Sequence, residues 1–395
     1  MKYHSLKLVP LFVTAFIVFD EVAISFNSAL LPNIQSDFQI SEQLVQLTLS
    51  FGLFALGFAG LIYGGLADVL GRRPMLLISL ALFSTMTLAS AIAPTMELFL
   101  ATRFLQGLGA GAGWVVGNCC LNDIYKGKQY TQIMNYVHAI AGITPAIAPV
   151  VGSYLGVIIG WRNCFIIVFV LTAILAAFMY IFQAETLEHK KTTNIKTFFK
   201  DYRSIFHSKK FLSYAVIKVV TVMMFYCEVA NIPLVFINYY HVPAMYYGLY
   251  VFPVFICYMC SALFSSYLIK RTSVNLILKI GLALLFSSNL FIILLDLLNI
   301  DLTPITIQCI KAFSYAGWGF IFGNATAEIV SAIPGKAGMA SAVMIAFEML
   351  CSSVGIYFLG FFFNGTIIPL TVFLAIFTVI ASLPFILNLV NYDHN

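Results

Sequence analysis

The side chains best placed to do chemistry are a few ionisable groups set inside long apolar runs: Asp20, Glu21, Arg103, Glu228, Lys311 and Glu348, with His138 as a weaker candidate. An ionised group in hydrocarbon costs at least about 2.5–3.5 kcal/mol on insertion scales, so such groups face water-filled cavities or pair with one another. A buried acid exchanges its proton according to how it is desolvated and how close a base lies. Asp20, Glu21, Glu228 and Glu348 are therefore candidates for proton coupling, and Arg103 and Lys311 for basic residues lining a cavity. Static ion pairs that merely join helices are the competing reading, weakened because buried pairs rarely stabilise more than apolar packing does. His138 is either a packed, hydrogen-bonded histidine or a proton carrier. Lys218 and Lys279 lie within about two turns of the ends of their runs and are expected to snorkel to the surface. Asp296 is expected to be a solvated helix end. The sequence shows no nucleophile–base grouping, metal-ligand cluster or nucleotide-binding loop, so neither an enzyme nor a metal or organic cofactor is expected.

The elements that must position these groups follow from composition. Of 395 residues, 61% are hydrophobic and 9% charged, with a mean hydropathy of +0.96. Soluble domains are nearer a quarter charged, which argues against a soluble enzyme, a nucleic-acid binder or a disordered chain. Twelve apolar runs are long enough to cross a hydrocarbon core of about 30 Å as helices: roughly 8–31, 44–66, 75–93, 98–121, 131–155, 162–183, 211–238, 246–269, 274–296, 303–327, 337–362 and 366–390. Backbone groups in lipid must be satisfied within each run, and the runs lack the ten-residue alternation of a membrane barrel, so the expectation is an all-α integral membrane protein. The first run is too long for the apolar region of a signal peptide and contains Asp20-Glu21; it is expected to be a retained helix. The eight cysteines fall in or beside apolar runs and read as small packing residues.

Of the 21 lysines and arginines, 16 fall in the segments that share a side with the N-terminus, and Arg162 alone falls on the other. This bias predicts that both termini are cytoplasmic. The net charge of +5 thus marks a membrane face and implies no nucleic-acid partner. Residues 184–210 form the one long connection and divide the runs six and six, into units 1–183 and 211–395. The basic connection itself is expected to be an amphipathic helix on the membrane surface, with a flexible linker as the alternative. The halves also resemble each other. Phe19-Asp20-Glu21-Val22-Ala23 matches Tyr226-Cys227-Glu228-Val229-Ala230 at an offset of 207, Arg103 matches Lys311 at 208, and His138 matches Glu348 at 210. Matches on the rarest residue types at nearly one offset indicate a duplicated six-helix unit.

Between the second and third runs lies Gly64-Gly65-Leu66-Ala67-Asp68-Val69-Leu70-Gly71-Arg72-Arg73-Pro74. Glycine permits a tight turn, and Asp68 with Arg72 and Arg73 can bridge neighbouring helix ends. This segment resembles the loop motif of the major facilitator superfamily, departing from it at Val69, where the family usually has a base. Arg103-Phe104-Leu105-Gln106-Gly107-Leu108-Gly109-Ala110-Gly111 is similar to that family's fourth-span pattern. Gly142-Ile143-Thr144-Pro145-Ala146-Ile147-Ala148-Pro149-Val150-Val151-Gly152, followed by Gly160-Trp161-Arg162, resembles the antiporter motif of the bicyclomycin-resistance type of drug:proton antiporters. Its prolines remove helix hydrogen bonds and its glycines allow close helix approach. One position departs from that branch: Ser28 stands four residues before Pro32, where an acid is common.

The resemblance implies two pseudo-symmetric six-helix bundles around a midplane cavity lined by spans 1, 4, 7 and 10. It also implies proton-coupled export of hydrophobic or cationic small molecules across the cytoplasmic (inner) membrane, driven by the proton gradient without a cofactor. With Ser28 in place of the usual acid, Asp20 or Glu21 would exchange the proton. The expected partners are a small-molecule substrate, protons and the lipid bilayer, and nothing in the sequence requires more than a monomer. A dedicated carrier remains open beside this reading, either exporting a metabolite such as a siderophore or importing a nutrient. A non-transporting membrane receptor would require soluble appendages that these residues do not supply.

Overall fold

The computed structural model describes residues 6–187, 205–333 and 337–390. The predicted surface helix within 184–210 falls largely outside them. The described chain is helical throughout, without strands. Its long helices are α1 (Val9–Phe38), α2 (Glu42–Leu70), α3 (Arg72–Ala91), α4 (Met96–Ile124), α5 (Gly127–Ile158), α6 (Trp161–Phe182), α7 (Lys209–Leu234), α8 (Tyr247–Leu268), α9 (Val274–Leu297), α10 (Pro304–Ser331), α11 (Ala337–Gly360) and α12 (Ile368–Ile386). Each corresponds to one predicted run. Ten are long and apolar enough to span a membrane by length and composition. The other two, α4 and α10, carry Arg103 and Lys311 among glycines and amides, as helices enclosed by others can.

Local sequence sets the boundaries. Ser41, Thr95, Ser208, Ser273 and Thr303 each accept the backbone N–H three residues on, capping α2, α4, α7, α9 and α10. The largest departure from expectation is α1, which continues past Pro32 to Phe38. Its polar extension stays helical because its side chains find partners: Asp37 accepts from Trp161 Nε1 at 3.2 Å and pairs with Arg162 at 3.0 Å. Beyond Pro233, α7 loosens into a π-turn over Val235–Tyr239, where Tyr240 N–H donates to Val235 O at 3.1 Å.

The two halves repeat one packing scheme. In the first, α4 packs on α2 and α3, α1 on α4, α5 and α6, and α3 on α6; in the second, α10, α7 and α9 repeat these contacts with α8, α9, α11 and α12. Glycines at matching positions make the repeat possible. An added Cβ at Gly109 would lie 2.5 Å from Phe83 N of α3, and one at Gly317 would lie 2.6 Å from Gly281 O of α9. Two residues on, Gly111 meets α2 at Ala59 and Gly319 meets α8 at Ser261. These pairs share the offset of 208 that relates Arg103 to Lys311. Asp20 is the acid that acts on Arg103 as Glu228 pairs with Lys311, so Glu228 corresponds to Asp20 rather than to Glu21, which corrects the register inferred from local likeness.

Between the halves, α2 packs along α11 and α5 on α8, with α1 touching α7. The α2–α11 seam is antiparallel and steps by seven residues: Gln43 lies by Gly360, Ser50 donates to Ser353 O at 2.8 Å, and a Cβ on Gly57 would stand 2.8 Å from Ala346 O. Large apolar side chains such as Phe178, Ile181, Leu263 and Phe264 are exposed on the outside of the molecule, the surface that a bilayer covers.

At the α2–α4 contact a Cβ at Gly107 would lie 2.2 Å from Gly52 O, with backbone on both sides and no flexible side chain to give way. Gly107→Ala is therefore expected to force α2 and α4 apart and to cost about 1–3 kcal/mol. The thermal unfolding midpoint in detergent should fall by several degrees, whereas Gly142→Ala, which meets open space, should leave it unchanged.

Candidate functional site

Asp20 and Glu21 are adjacent on α1, about 17 Å from its start, and point to different places. Asp20 is 3% exposed and lines a narrow cavity enclosed by helices of the first half, together with Leu49, Gly52, Phe83, Arg103 and Gln106. Its Oδ2 has no hydrogen-bond partner among the described residues, and neither has Arg103 Nε. Arg103 is held from the sides instead. Its Nη1 donates to Gln106 Oε1, Gln106 Nε2 donates to Thr87 Oγ1 at 2.6 Å, and the guanidinium lies 5.7 Å from the Phe165 ring centroid. Acid and base thus share a cavity without an ion pair within 4 Å among the described residues.

The corresponding groups in the second half are closed. Lys311 Nζ donates to Glu228 Oε2 at 2.8 Å and to Asn289 Oδ1 at 2.9 Å. Asn289 is itself oriented by donating to Leu285 O at 2.7 Å. The two charged side chains are 0% and 1% exposed, so the pair is a sealed strut. Both sets of charges lie inside their own bundles rather than in the midplane cavity between them that the resemblance implies.

Glu21, one residue and about 100° on from Asp20, is half-buried. It lies within electrostatic range of Tyr226 and Tyr258 of the second half, and Tyr226 is also within range of Asp20 and Glu348. On the same face of α1, Thr14 and Val18 are half-buried, whereas Ser25 and Ser28 are buried. The interior therefore opens toward the end of the bundle that carries the termini and closes at the other. The closure consists of polar contacts between halves, made by hydroxyls and amides with one carboxylate acceptor: Ser28 Oγ to Val229 O at 2.6 Å, Gln46 Nε2 to Asn231 Oδ1 at 3.0 Å, and Asn238 Nδ2 to Gln35 Oε1 and Glu42 Oε1 at 2.8 and 2.9 Å.

Lys218 departs from expectation. It is 9% exposed and does not snorkel: its ammonium donates to Phe322 O at 3.3 Å and lies 4.2 Å from the Phe322 ring centroid. The carbonyl and ring hold it inward, with Glu348 in electrostatic range. Lys279 and Asp296 are exposed. His138 is on α5, but its side chain lies outside the described residues.

The motifs also acquire positions. Gly71 has φ +113°, and a Cβ there would stand 2.6 Å from Glu185 Oε2. Glu185 accepts from the N–H groups of Arg72 and Arg73 at 3.0 and 3.2 Å and from those of Thr186 and Leu187 at 3.0 Å. Its charge lies at the start of α3, where it complements the helix dipole. Arg72 bridges Asp68 at 2.7 Å and Asp123 at 3.2 Å, and Gly64 lies against Val115 of α4. The loop motif therefore ties α2, α3, α4 and the segment after α6 together. Glu185 was missed in the sequence because its partners are backbone groups, and those at the start of α3 lie more than a hundred residues away. In the α5 motif, Pro149 O and Val150 are the atoms that Gly248 of α8 approaches, Gly152 packs on Phe26, and Gly142 and Pro145 are half-buried. This motif lies at the second contact between the halves. The polar seam residues Gln46, Ser50, Asn231 and Ser353 were also missed, although the seven-residue spacing of small and polar positions on α2 and α11 is a readable signal.

Two like helical bundles, membrane-spanning and sealed at one end around buried ionisable groups, define a multi-pass membrane transporter rather than an enzyme. The chain belongs to the Major Facilitator Superfamily, whose family model matches residues 11–356. It is 24% identical over 315 residues to the bicyclomycin resistance protein homolog of Haemophilus influenzae, covering 79% of this chain and 78% of that one. It is 27% identical over 337 residues to the multidrug resistance protein MdtL of Escherichia coli, covering 83% and 82%. Among solved structures, the fold is similar to the partially occluded inward-open conformation of the xylose transporter XylE from E. coli, with a TM-score of 0.75, 12% identity and 98% of each chain covered. It is also similar to the human organic anion transporter MFSD10, with a TM-score of 0.70, 15% identity and coverage of 97% and 99%.

The contrast between the halves predicts opposite stability responses. Glu228→Gln leaves Lys311 buried without its counter-charge and should cost about 3–5 kcal/mol, read as a lowered unfolding midpoint that Lys311→Met partly restores. Asp20→Asn removes an unpaired buried carboxylate and should leave the midpoint unchanged or higher.

Proposed function

We propose that the protein is a proton-coupled antiporter that exports hydrophobic or cationic small molecules across the cytoplasmic membrane, with both termini inside. The observation that carries this reading is the unpaired Asp20 carboxylate sharing a cavity with the unpaired Arg103 guanidinium, one residue from a Glu21 that faces the other half. Relatives named for bicyclomycin and multidrug resistance support the substrate class, and the bias of basic residues supports the orientation.

In this mechanism the half-open interior admits substrate from the cytoplasm. Asp20 holds its proton while Arg103 is turned to Gln106 and releases it when Arg103 moves toward the carboxylate. Glu21 meets a cationic substrate on the face toward Tyr226 and Tyr258. Substrate and proton thereby compete for one pair of adjacent acids, so binding of either favours loss of the other. The units 1–183 and 211–395 rock about the α2–α11 and α5–α8 contacts. Breaking the amide and hydroxyl seal at the far end then exposes the interior to the outside. Glu228 acts with Lys311 as a strut that keeps the second bundle rigid. The protein works as a monomer and needs only the proton gradient as its energy source.

The test is substrate-dependent proton flux in proteoliposomes under a pH gradient imposed in either direction, with tetraphenylphosphonium and ethidium as substrates. Asp20→Asn should abolish gradient-driven accumulation while exchange of substrate down its own gradient persists. Glu21→Gln should lower the apparent affinity for cations about tenfold or more, as expected for loss of a desolvated charge pair. Coupled transport that survives both changes would refute the assignment. Transport of one anionic metabolite without any lipophilic cation would refute the substrate class.

A further inference from the structure

Three side chains of the second half make an arrangement that the antiport scheme does not use. The Lys218 ammonium rests on the face of Phe322, 4.2 Å from its centroid, and donates to the carbonyl of the same residue at 3.3 Å. Glu348 on α11 is 8% exposed, and its carboxylate makes no hydrogen bond or ion pair among the described residues. A Cβ on Gly355 of α11 would stand 2.6 Å from Met223 of α7, and about two turns back along these parallel helices Glu348 comes level with Lys218, within electrostatic range but beyond the 4 Å of an ion pair. The same bundle shows that lysine and glutamate can close when built to do so, since Lys311 reaches Glu228 at 2.8 Å. Here they are held apart.

An aromatic face, a carbonyl and a desolvated carboxylate are the groups that together recognise an organic ammonium. The ring is fixed for that purpose. Phe225 lies 5.8 Å and Tyr258 6.1 Å from Phe322, both nearly edge-on, and Phe225 is itself wedged by Trp318 at 5.3 Å. Phe225, Tyr258 and Phe322 are all half-buried, and Tyr258 is within electrostatic range of Glu21 across the interior. We propose that Phe322 and Glu348 form a subsite for the cationic group of an organic ammonium, and that Lys218 is a tethered cation that occupies its aromatic face and must be displaced for the ligand to bind. The substrate class rests on the export reading above, whereas the subsite rests on these contacts. With Lys218 on the ring and Glu348 ionised the subsite is neutral. An incoming ammonium takes the ring and the carboxylate, and the lysine swings off along its flexible stem. Lys218 therefore sets a threshold: weakly held cations do not displace it.

The experiment is equilibrium binding of ethidium, a fluorescent quaternary ammonium, to the purified full chain in detergent at fixed pH. Lys218→Met should tighten binding about tenfold or more by removing a like charge from the subsite, and Lys218→Arg should stay near wild type because the charge is kept. Adding Glu348→Gln to Lys218→Met should erase the gain. Phe322→Leu should weaken binding severalfold, and Phe322→Tyr should not. Unfolding midpoints establish that each variant is folded, and Lys218→Gln serves with the same expectation if Lys218→Met is not. Unchanged or weaker binding by Lys218→Met, or a gain that survives Glu348→Gln, overturns the proposal. The antiport reading is judged separately by vesicle flux. Tighter ethidium binding by Lys218→Met in a protein without proton-coupled flux would keep the subsite and reject antiport, and coupled flux without that gain would do the reverse.

Discussion

A charge enclosed by helices in a bilayer must find its opposite, keep its proton or reach water, and most of this molecule is arranged around which of these each charge does. Glu228 and Lys311 find each other, and Asn289 accepts a second of the lysine's three N–H groups. Asp20 and Arg103 stand at the matching positions and do not meet. The helices around them are the same in number and packing order, down to the glycines that let α4 and α10 approach their neighbours. The duplication therefore provides two copies of one cage, one holding a completed pair and the other an incomplete one. A completed pair resists change, and an incomplete one can take up a proton or give one away.

The division of labour extends to the surfaces between the halves. The loop motif fastens the termini-bearing end of the first half through Arg72, Asp68, Asp123 and Glu185, all within that half. The contacts that join the halves are of another kind, made by small residues, hydroxyls and amides along α2–α11 and α5–α8. Ion pairs thus act within each bundle, whereas small residues, hydroxyls and amides, with Glu42 as a charged acceptor, join the bundles to each other. Rigid-body rocking needs such a division, because the bonds between bodies must be remade while the bonds within them persist.

Much of this was legible in the sequence. Hydropathy yielded the long helices to within a few residues, except for the polar extension of α1 to Phe38, because spanning length is set by the bilayer and not by tertiary detail. The loop motif was legible because its glycine, acid and arginines act within one turn. Side-chain direction was less legible. The depth of Lys218 suggested a route to the surface, but Phe322 of another helix holds it inward. Adjacent acids in the sequence could not reveal that Asp20 faces Arg103 while Glu21 faces the other half. The register of the repeat was misjudged at Glu21 for a related reason: local likeness of five residues outweighed the matching of each acid to its base, which only the packed helices display. Glu185 carried no signal of its own, since its role lies in the backbone groups it receives.

The seal at the far end has a further consequence. The cross-half contacts there are amides and hydroxyls, with Glu42 as the acceptor for one amide donor. Opening such a seal carries little formal charge through the transmembrane field, where each elementary charge moved would contribute about 2.3 kcal/mol per 100 mV. Under the proposed antiport, the membrane potential would therefore act on the travelling proton and substrate, and hardly on the door. The neutral contacts among these, Ser28 to Val229 and Gln46 to Asn231, are hardly screened by dissolved ions, so they keep their strength as salinity changes.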